Sequence, residues 1–258
     1  MISAITCTGD RPIPLGFCVE YMARQTRKPD QWIIVDDGRV PLDFEMQQRL
    51  ETCGVGEVDI IRRAPRSSDP PHTLCVNLLA ALDRVSNPSV AFIEDDDWYS
   101  RRHIEILDAE LMAHDMFGYQ GIVYYHVGKR CHKTMGEASP HASLCQTGIT
   151  SKVVPTLKRI CASLDTGFFV DLRLWREFAG KKKLAKNQNT VVGIKGLPGR
   201  QGLTAGWRSV VGYMPDPAMK FLESLVGGDI GNYILPASHG PSHDAVRQPN
   251  SSGGSFVV

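Results

Sequence analysis

Gln31-Trp32-Ile33-Ile34-Val35-Asp36-Asp37-Gly38 is a short, β-branched apolar run that stops abruptly at two carboxylates and a glycine. Such a run bounded by turn residues reads as a strand. The pattern repeats outward, with Ile2 to Cys7 before it and Glu57 to Ile61 and Ser89 to Ile93 after it. Between the first two runs Leu15, Cys18, Val19 and Met22 recur at helical spacing. Farther on, Thr73 is placed to cap a helix carrying Val76, Leu79, Ala80 and Leu82. Strands alternating with amphipathic segments predict an α/β fold, a Rossmann-like, mostly parallel sheet flanked by helices.

At 258 residues the chain is long enough to bury a substantial core. One catalytic unit is expected, divided into a first half over 1–120, a second region over 121–249 and a flexible Ser/Gly-rich tail over 250–258. In the second region Gly121 to Val127 reads as a strand. A loop of more than thirty residues is expected before Gly167-Phe168-Phe169-Val170, then a helix over 172–179. Asp216-Pro217 and Gly227-Gly228 bracket another helix by N-cap, first-turn proline and C-terminal glycine.

Lysine plus arginine (29) nearly cancels aspartate plus glutamate (28), so no global field draws the chain to nucleic acid or a membrane surface. No apolar segment approaches the ~20 residues of a membrane-spanning helix, and the first residues lack the basic and apolar regions of a secretory signal. The expectation is a soluble, cytoplasmic protein without a membrane anchor. Seven cysteines without a CxxC pair fit a reducing compartment. Cys131, His132, His141 and Cys145 offer four zinc ligands at a spacing that matches no standard finger, leaving a structural zinc and unpaired loop residues both open.

Ligands of open α/β sheets bind beyond the carboxyl ends of the strands, and those positions are polar here. The first strand ends in Thr6-Cys7-Thr8-Gly9-Asp10-Arg11-Pro12, the second in Asp36-Asp37-Gly38 and the fourth in Glu94-Asp95-Asp96-Asp97. Four adjacent carboxylates repel one another unless something compensates them. One reading is a hard divalent cation, Mn2+ or Mg2+, held against a diphosphate; the other is a solvated acidic turn before the helix that begins near Ser100. Arg11 suits bidentate phosphate recognition, and Asp36 or Asp37 can accept from a nucleobase NH.

From Ile2 to about Ile104 the chain resembles the nucleotide-sugar half of GT-A glycosyltransferases, family 2 in particular. The residues that carry the likeness are Ser3 to Pro12, Gln25-Thr26 with Pro29 and Trp32 to Gly38, and Phe92-Ile93-Glu94-Asp95-Asp96-Asp97-Trp98, in which Glu94 stands where the DxD block usually opens with Asp. The resemblance implies a donor site built from Thr6, Thr8, Arg11, Asp36, Asp37, Asn77, Glu94 and Asp95. Asp36 would bind the base, and Glu94 would reach the ribose or a metal-bound water. It further implies Asp96 as main metal ligand with Asp97 second, and a UDP-sugar as the commonest donor.

Beyond residue 120 the likeness thins. Inverting relatives carry an acidic base there, and with no Asp or Glu between Glu177 and Asp216, Asp165 is the first candidate, followed by Asp171 and Asp229. Retention, which needs no such base, stays open. Lys195-Gly196-Leu197-Pro198-Gly199-Arg200-Gln201-Gly202 reads either as a surface loop or as backbone NH groups and two cations near a diphosphate. His239 or His243 would be a late addition to a metal site. Lys181-Lys182-Lys183 with Lys186 reads as a solvated helix end or a grip on a phosphate backbone. The acceptor therefore stays open among a saccharide, a protein, a small metabolite and DNA with hydroxymethylated bases. A non-catalytic nucleotide-sugar-binding protein and a nucleotidyltransferase are the rival readings.

Overall fold

The computed structural model describes residues 1–163, 169–200 and 209–234. Its centre is a seven-stranded sheet in the order β10-β6-β9-β4-β1-β2-β3. The strands are β1 (Ile2–Thr8), β2 (Gln31–Asp36), β3 (Glu57–Arg62), β4 (Ser89–Phe92), β6 (Met116–Gln120), β9 (Thr147–Thr150) and β10 (Lys182–Lys186). The block β3-β2-β1-β4 is parallel throughout, β9 runs antiparallel to β4 and β6, and β10 returns parallel to β6. The expected mostly parallel α/β architecture is present, and strands from both sides of residue 120 share the sheet.

Alternation on β2 explains the layering. Trp32 and Ile34 face a core filled by α1 (Pro12–Ala23), α2 (Phe44–Thr52) and α4 (His103–Leu111). Ile33 and Val35 face the opposite core, filled by α3 (Leu74–Leu82), α5 (Val154–Ser163) and α6 (Val170–Glu177). Both faces of β2 are buried, so every position from Trp32 to Val35 is apolar. Leu15, Cys18, Val19 and Met22 all turn inward from α1 as their spacing predicts. In α3 the buried face is Cys75, Asn77, Leu78, Ala81 and Leu82, which shares only Leu82 with the expected stripe, because this helix is apolar almost all round and periodicity alone does not fix its rotation.

A second, five-stranded sheet in the order β12-β8-β7-β11-β5 leans on the first. It contains β5 (Trp98–Tyr99), β7 (Ile122–His126), β8 (Cys131–Met135), β11 (Val191–Lys195) and β12 (Met214–Pro215). The long loop expected after Val127 is instead β8, a 3-10 turn over Leu144–Gln146, β9 and α5. The polar pattern Cys131-His132-Lys133-Thr134 hides a strand because its partners, β7 and β12, supply the ladder. The helix expected over 172–179 begins earlier, at Val170, which opens α6 with Phe169 before it in the left-handed region.

The lysine run is an edge strand, not a helix end. Lys182 Nζ donates to the carbonyls of Trp175 and Phe178, and Lys183 Nζ pairs with Glu110 at 2.7 Å. Lysines on an exposed edge discourage pairing with another chain, which accounts for the run without a phosphate partner. The last described helix, α7 (Lys220–Val226), begins later than Asp216-Pro217 suggests, but Asp216 Oδ2 still accepts from Phe221 N and Leu222 N. No helix among the described residues is long and apolar enough to cross a membrane.

Candidate functional site

Because β1, β2 and β4 are parallel, their carboxyl ends, Thr8, Asp36 and Phe92, reach one edge of the sheet. A cleft of about 470 Å³ opens there. The loops after β1 and β2 are pressed together: a Cβ on Gly9 would sit 2.3 Å from Asp37 Oδ1 and 2.7 Å from Gly38 N, so only glycine fits. Asp10, at φ 55°, accepts from Arg39 N at 2.8 Å and completes the clasp.

The acid run lies along the cleft with its charges distributed. Asp95 accepts from Thr8 Oγ1 and from Arg11 Nη1, both at 2.7 Å. Asp96 Oδ2 faces Arg11 Nη1 at 3.4 Å and Lys195 Nζ at 3.7 Å. Asp97 Oδ1 accepts from Ile194 N at 3.0 Å and faces Lys195 Nζ at 3.5 Å, while its Oδ2 is buried without an N–H or O–H donor and the carboxylate neighbours the Cys145 thiol. Lys195 arrives by register. Val192 pairs with Trp98 in the antiparallel β5–β11 ladder, so the next residues of β11 run back past the acid run. Its stem crosses the Tyr124 ring, with Nζ 5.4 Å from the centroid.

Burial pushes the Glu94 carboxyl up to about 8, with Asp97 adding to the rise against the opposing Lys195. Burial likewise raises Asp97 to about 6 against the pull of Lys195. For Asp96, Lys195 and Arg11 outweigh burial and hold the carboxyl below its ordinary range. These are the opposing consequences of desolvation and neighbouring charge.

At the end of β2 the two aspartates separate in role. Asp36 is committed to its own loop, accepting from Gly38 N at 2.9 Å and Leu42 N at 3.1 Å and pairing with Arg62 at 3.1 Å. Asp37 accepts from Asn77 Nδ2 at 2.9 Å, from Thr73 Oγ1 and from Arg200 Nη2. Thr73, Asn77 and Arg200 all line the cleft. Thr73 stands at the N-cap position of α3, yet its hydroxyl serves Asp37 rather than the helix. Thr6, expected at the donor site, is fully buried and accepts from Trp32 Nε1.

Of the residues singled out in the sequence, Arg11, Asn77, Glu94, Asp95 and Asp96 line the cleft, as do Lys195 and Arg200 of the glycine-containing run. Thr8, Asp37 and Asp97 are buried directly behind them. Asp165, His239, His243 and the 250–258 tail lie outside the described residues. Asp171, in the first turn of α6, lines the cleft, and burial raises its carboxyl. Asp229 does not line it; it pairs with Arg24 and accepts from Trp98 Nε1 at 2.7 Å. The zinc quartet is not assembled: His132 stacks on Phe221 with centroids 3.6 Å apart and His141 bonds Ser139. Cys145 instead stands beside Glu94 and Asp97, a contact between residues some fifty positions apart that local spacing does not reveal.

No family model matches this chain, and no curated protein matches it in sequence. In three dimensions it is similar to the crystal structure of S. aureus TarS, with a TM-score of 0.54 at 10% identity over 75% of this chain and 36% of that one. It is also similar to S. aureus TarS 1-349 in complex with UDP-GlcNAc, at 0.53 and 14% identity over 78% and 59%. The same fragment in complex with UDP gives 0.52 at 10% identity over 75% and 60%. The fold is thus shared with TarS, and the chain spans between about a third and three fifths of the length of these structures.

Proposed function

We propose that this chain is a GT-A glycosyltransferase that transfers a sugar from a nucleoside-diphosphate donor, a UDP-sugar first among them, to a hydroxyl acceptor. The observation that carries the reading is the meeting, in one cleft, of a polar wall backed by Asp37, an acid run and three cations, Arg11, Lys195 and Arg200. The family-2 resemblance of the first hundred residues and the likeness to TarS crystallised with UDP-GlcNAc support it.

In this reading the base lies against the wall formed by Thr73, Asn77 and Arg200, with Asp37 holding these groups in place. The diphosphate lies over Arg11, Lys195 and Arg200, whose charges stabilise the leaving group as the bond to the sugar breaks. A divalent cation, Mn2+ or Mg2+, suits the residues present, since the buried Asp97 Oδ2 meets no N–H or O–H donor and Glu94 stands beside it. Asp97 and Glu94 would hold the ion. Asp96, the main ligand expected from the resemblance, faces Arg11 and Lys195 through Oδ2. When bound, the ion supplies Lewis-acid stabilisation of the departing diphosphate.

The transfer is proposed as inverting, with Asp171 as general base. It lines the cleft, and burial raises its carboxyl, which strengthens it as a base toward an attacking hydroxyl. The test is calorimetry with UDP-GlcNAc, UDP and other nucleoside diphosphates, with and without Mn2+. Binding of a nucleoside diphosphate, lost in Arg200→Ala and in Asn77→Ala, is expected. No binding of any nucleotide sugar under either condition overturns the reading.

A further inference from the structure

We infer that Cys145 is a ligand in the divalent-cation site, which is therefore a mixed carboxylate–thiolate centre formed with Glu94 and Asp97 that favours thiophilic cations over Mg2+. The inference deepens the proposed function and rests on it only for the position of the donor.

Among the described residues, Glu94, Asp97 and Cys145 are the group whose potential ligand atoms all lie within 4.8 Å of one another. Bonds of ~2.1 Å to oxygen and ~2.3 Å to sulfur span at most about 4.4 Å between opposite ligands. Three ligands of one tetrahedral cation lie about 3.5 Å apart, so the side chains share an ion after closing by up to about an ångström. Asp97 is 1% exposed. Its Oδ1 is engaged by Ile194 N and Lys195, whereas Oδ2 meets no N–H or O–H donor and the carboxylate has the Cys145 thiol as its neighbour. A buried carboxylate whose free oxygen meets at best a weak thiol donor is costly, and a cation at this point removes the cost.

The neighbouring acids already face cations of the protein. Both oxygens of Asp95 take hydrogen bonds, from Arg11 and Thr8, and Asp96 Oδ2 faces two cations. Cys145 is held in a 3-10 turn whose backbone is tied back by Gln146 N to Ser143 O at 3.1 Å. The thiol is buried and touches Ser143 Oγ at 3.4 Å. Glu94 and Cys145 also line the cleft, so the cation's remaining positions open toward the donor. Binding releases the thiol proton to solvent and forms a sulfur–metal bond. Thiolate favours Co2+ or Zn2+ over Mg2+ and Mn2+, which suit oxygen ligands.

The experiment uses the full chain, stripped with chelator and titrated with Co2+. A near-ultraviolet thiolate-to-cobalt charge-transfer band is expected in the wild type and in Cys131→Ser, absent in Cys145→Ser, and at least tenfold weaker in apparent affinity in Asp97→Asn. Zn2+ absorption-edge spectroscopy on the wild type, which needs no variant to fold, should show one sulfur at about 2.3 Å. A shell of nitrogen and oxygen only, or a cobalt band that survives Cys145→Ser, overturns the inference. UDP-GlcNAc binding is measured in parallel. Donor binding without the band defeats the thiolate ligand alone, and the band without nucleotide binding defeats the glycosyltransferase reading alone.

Discussion

The Lys195 ammonium lies 3.5 Å from Asp97 Oδ1, at the point where β11 runs past the acid run. Both side chains are buried, at 5% and 1% exposure. Removing one member of a buried pair leaves an uncompensated charge and costs about 3–5 kcal/mol. Lys195→Met should therefore lower the melting temperature sharply, and Lys195→Met with Asp97→Asn should recover much of the loss. A double variant no more stable than Lys195→Met would show that the pair does not share its charge in this way.

The two aspartates at the end of β2 should separate by readout. Asp36 bonds the backbone of its own loop, so Asp36→Ala should cost about 1–3 kcal/mol of stability in denaturant titration. Asp37 supports Asn77, Thr73 and Arg200, so Asp37→Ala should weaken donor binding by about tenfold or more in calorimetry. Equal donor affinity in Asp37→Ala and the wild type would remove that wall from the donor site.

Glu94 makes stability depend on pH. Its folded-state carboxyl is raised to about 8, so between its ordinary value of about 4.3 and that point the folded state holds a proton that the unfolded chain has released. Stability conferred by the neutral form is fully present at the acid end and is lost as pH rises through about 8. In metal-free protein, melting temperature should fall from pH 6 to pH 9, and Glu94→Gln should flatten the decline. A rise over that range in the wild type would mean that Glu94 is ionised in the folded state.

The strands that bring the cleft together were legible because β1, β2 and β4 are buried on both faces and end abruptly in polar residues. Which carboxylate does what was less so. Asp36 and Asp37 are adjacent and chemically identical, and only the loop geometry after β2 divides them. Lys195 was legible as a cation near a glycine loop, but its pairing with Asp96 and Asp97 depends on a ladder between segments nearly a hundred residues apart. β8 and β9 escaped because Cys131-His132-Lys133-Thr134 and Thr147-Gly148-Ile149-Thr150 are too short and polar to carry a period-two pattern, and tertiary pairing makes them strands.

Stereochemistry turns on Asp171. In an inverting transfer a base must reach the attacking hydroxyl while the sugar's bond to the diphosphate breaks on the opposite face. Asp171 lies in the first turn of α6, where it lines the cleft; one oxygen accepts from Leu172 N at 2.7 Å. Burial raises its carboxyl, opposed by that backbone bond and by His141, which places it nearer the pH at which a base both stays ionised and takes a proton. A retaining enzyme needs no such group, because the departing diphosphate can accept the proton. If Asp171 is the base, Asp171→Asn lowers turnover by about 100-fold or more while donor affinity stays near wild type, since an interaction made only in the transition state has been removed. The product's anomeric configuration, read by proton NMR, should be equatorial from an axial donor. An axial product, or an Asp171→Asn variant that weakens donor binding as much as turnover, would take Asp171 out of the proton transfer and leave it a residue that shapes the cleft.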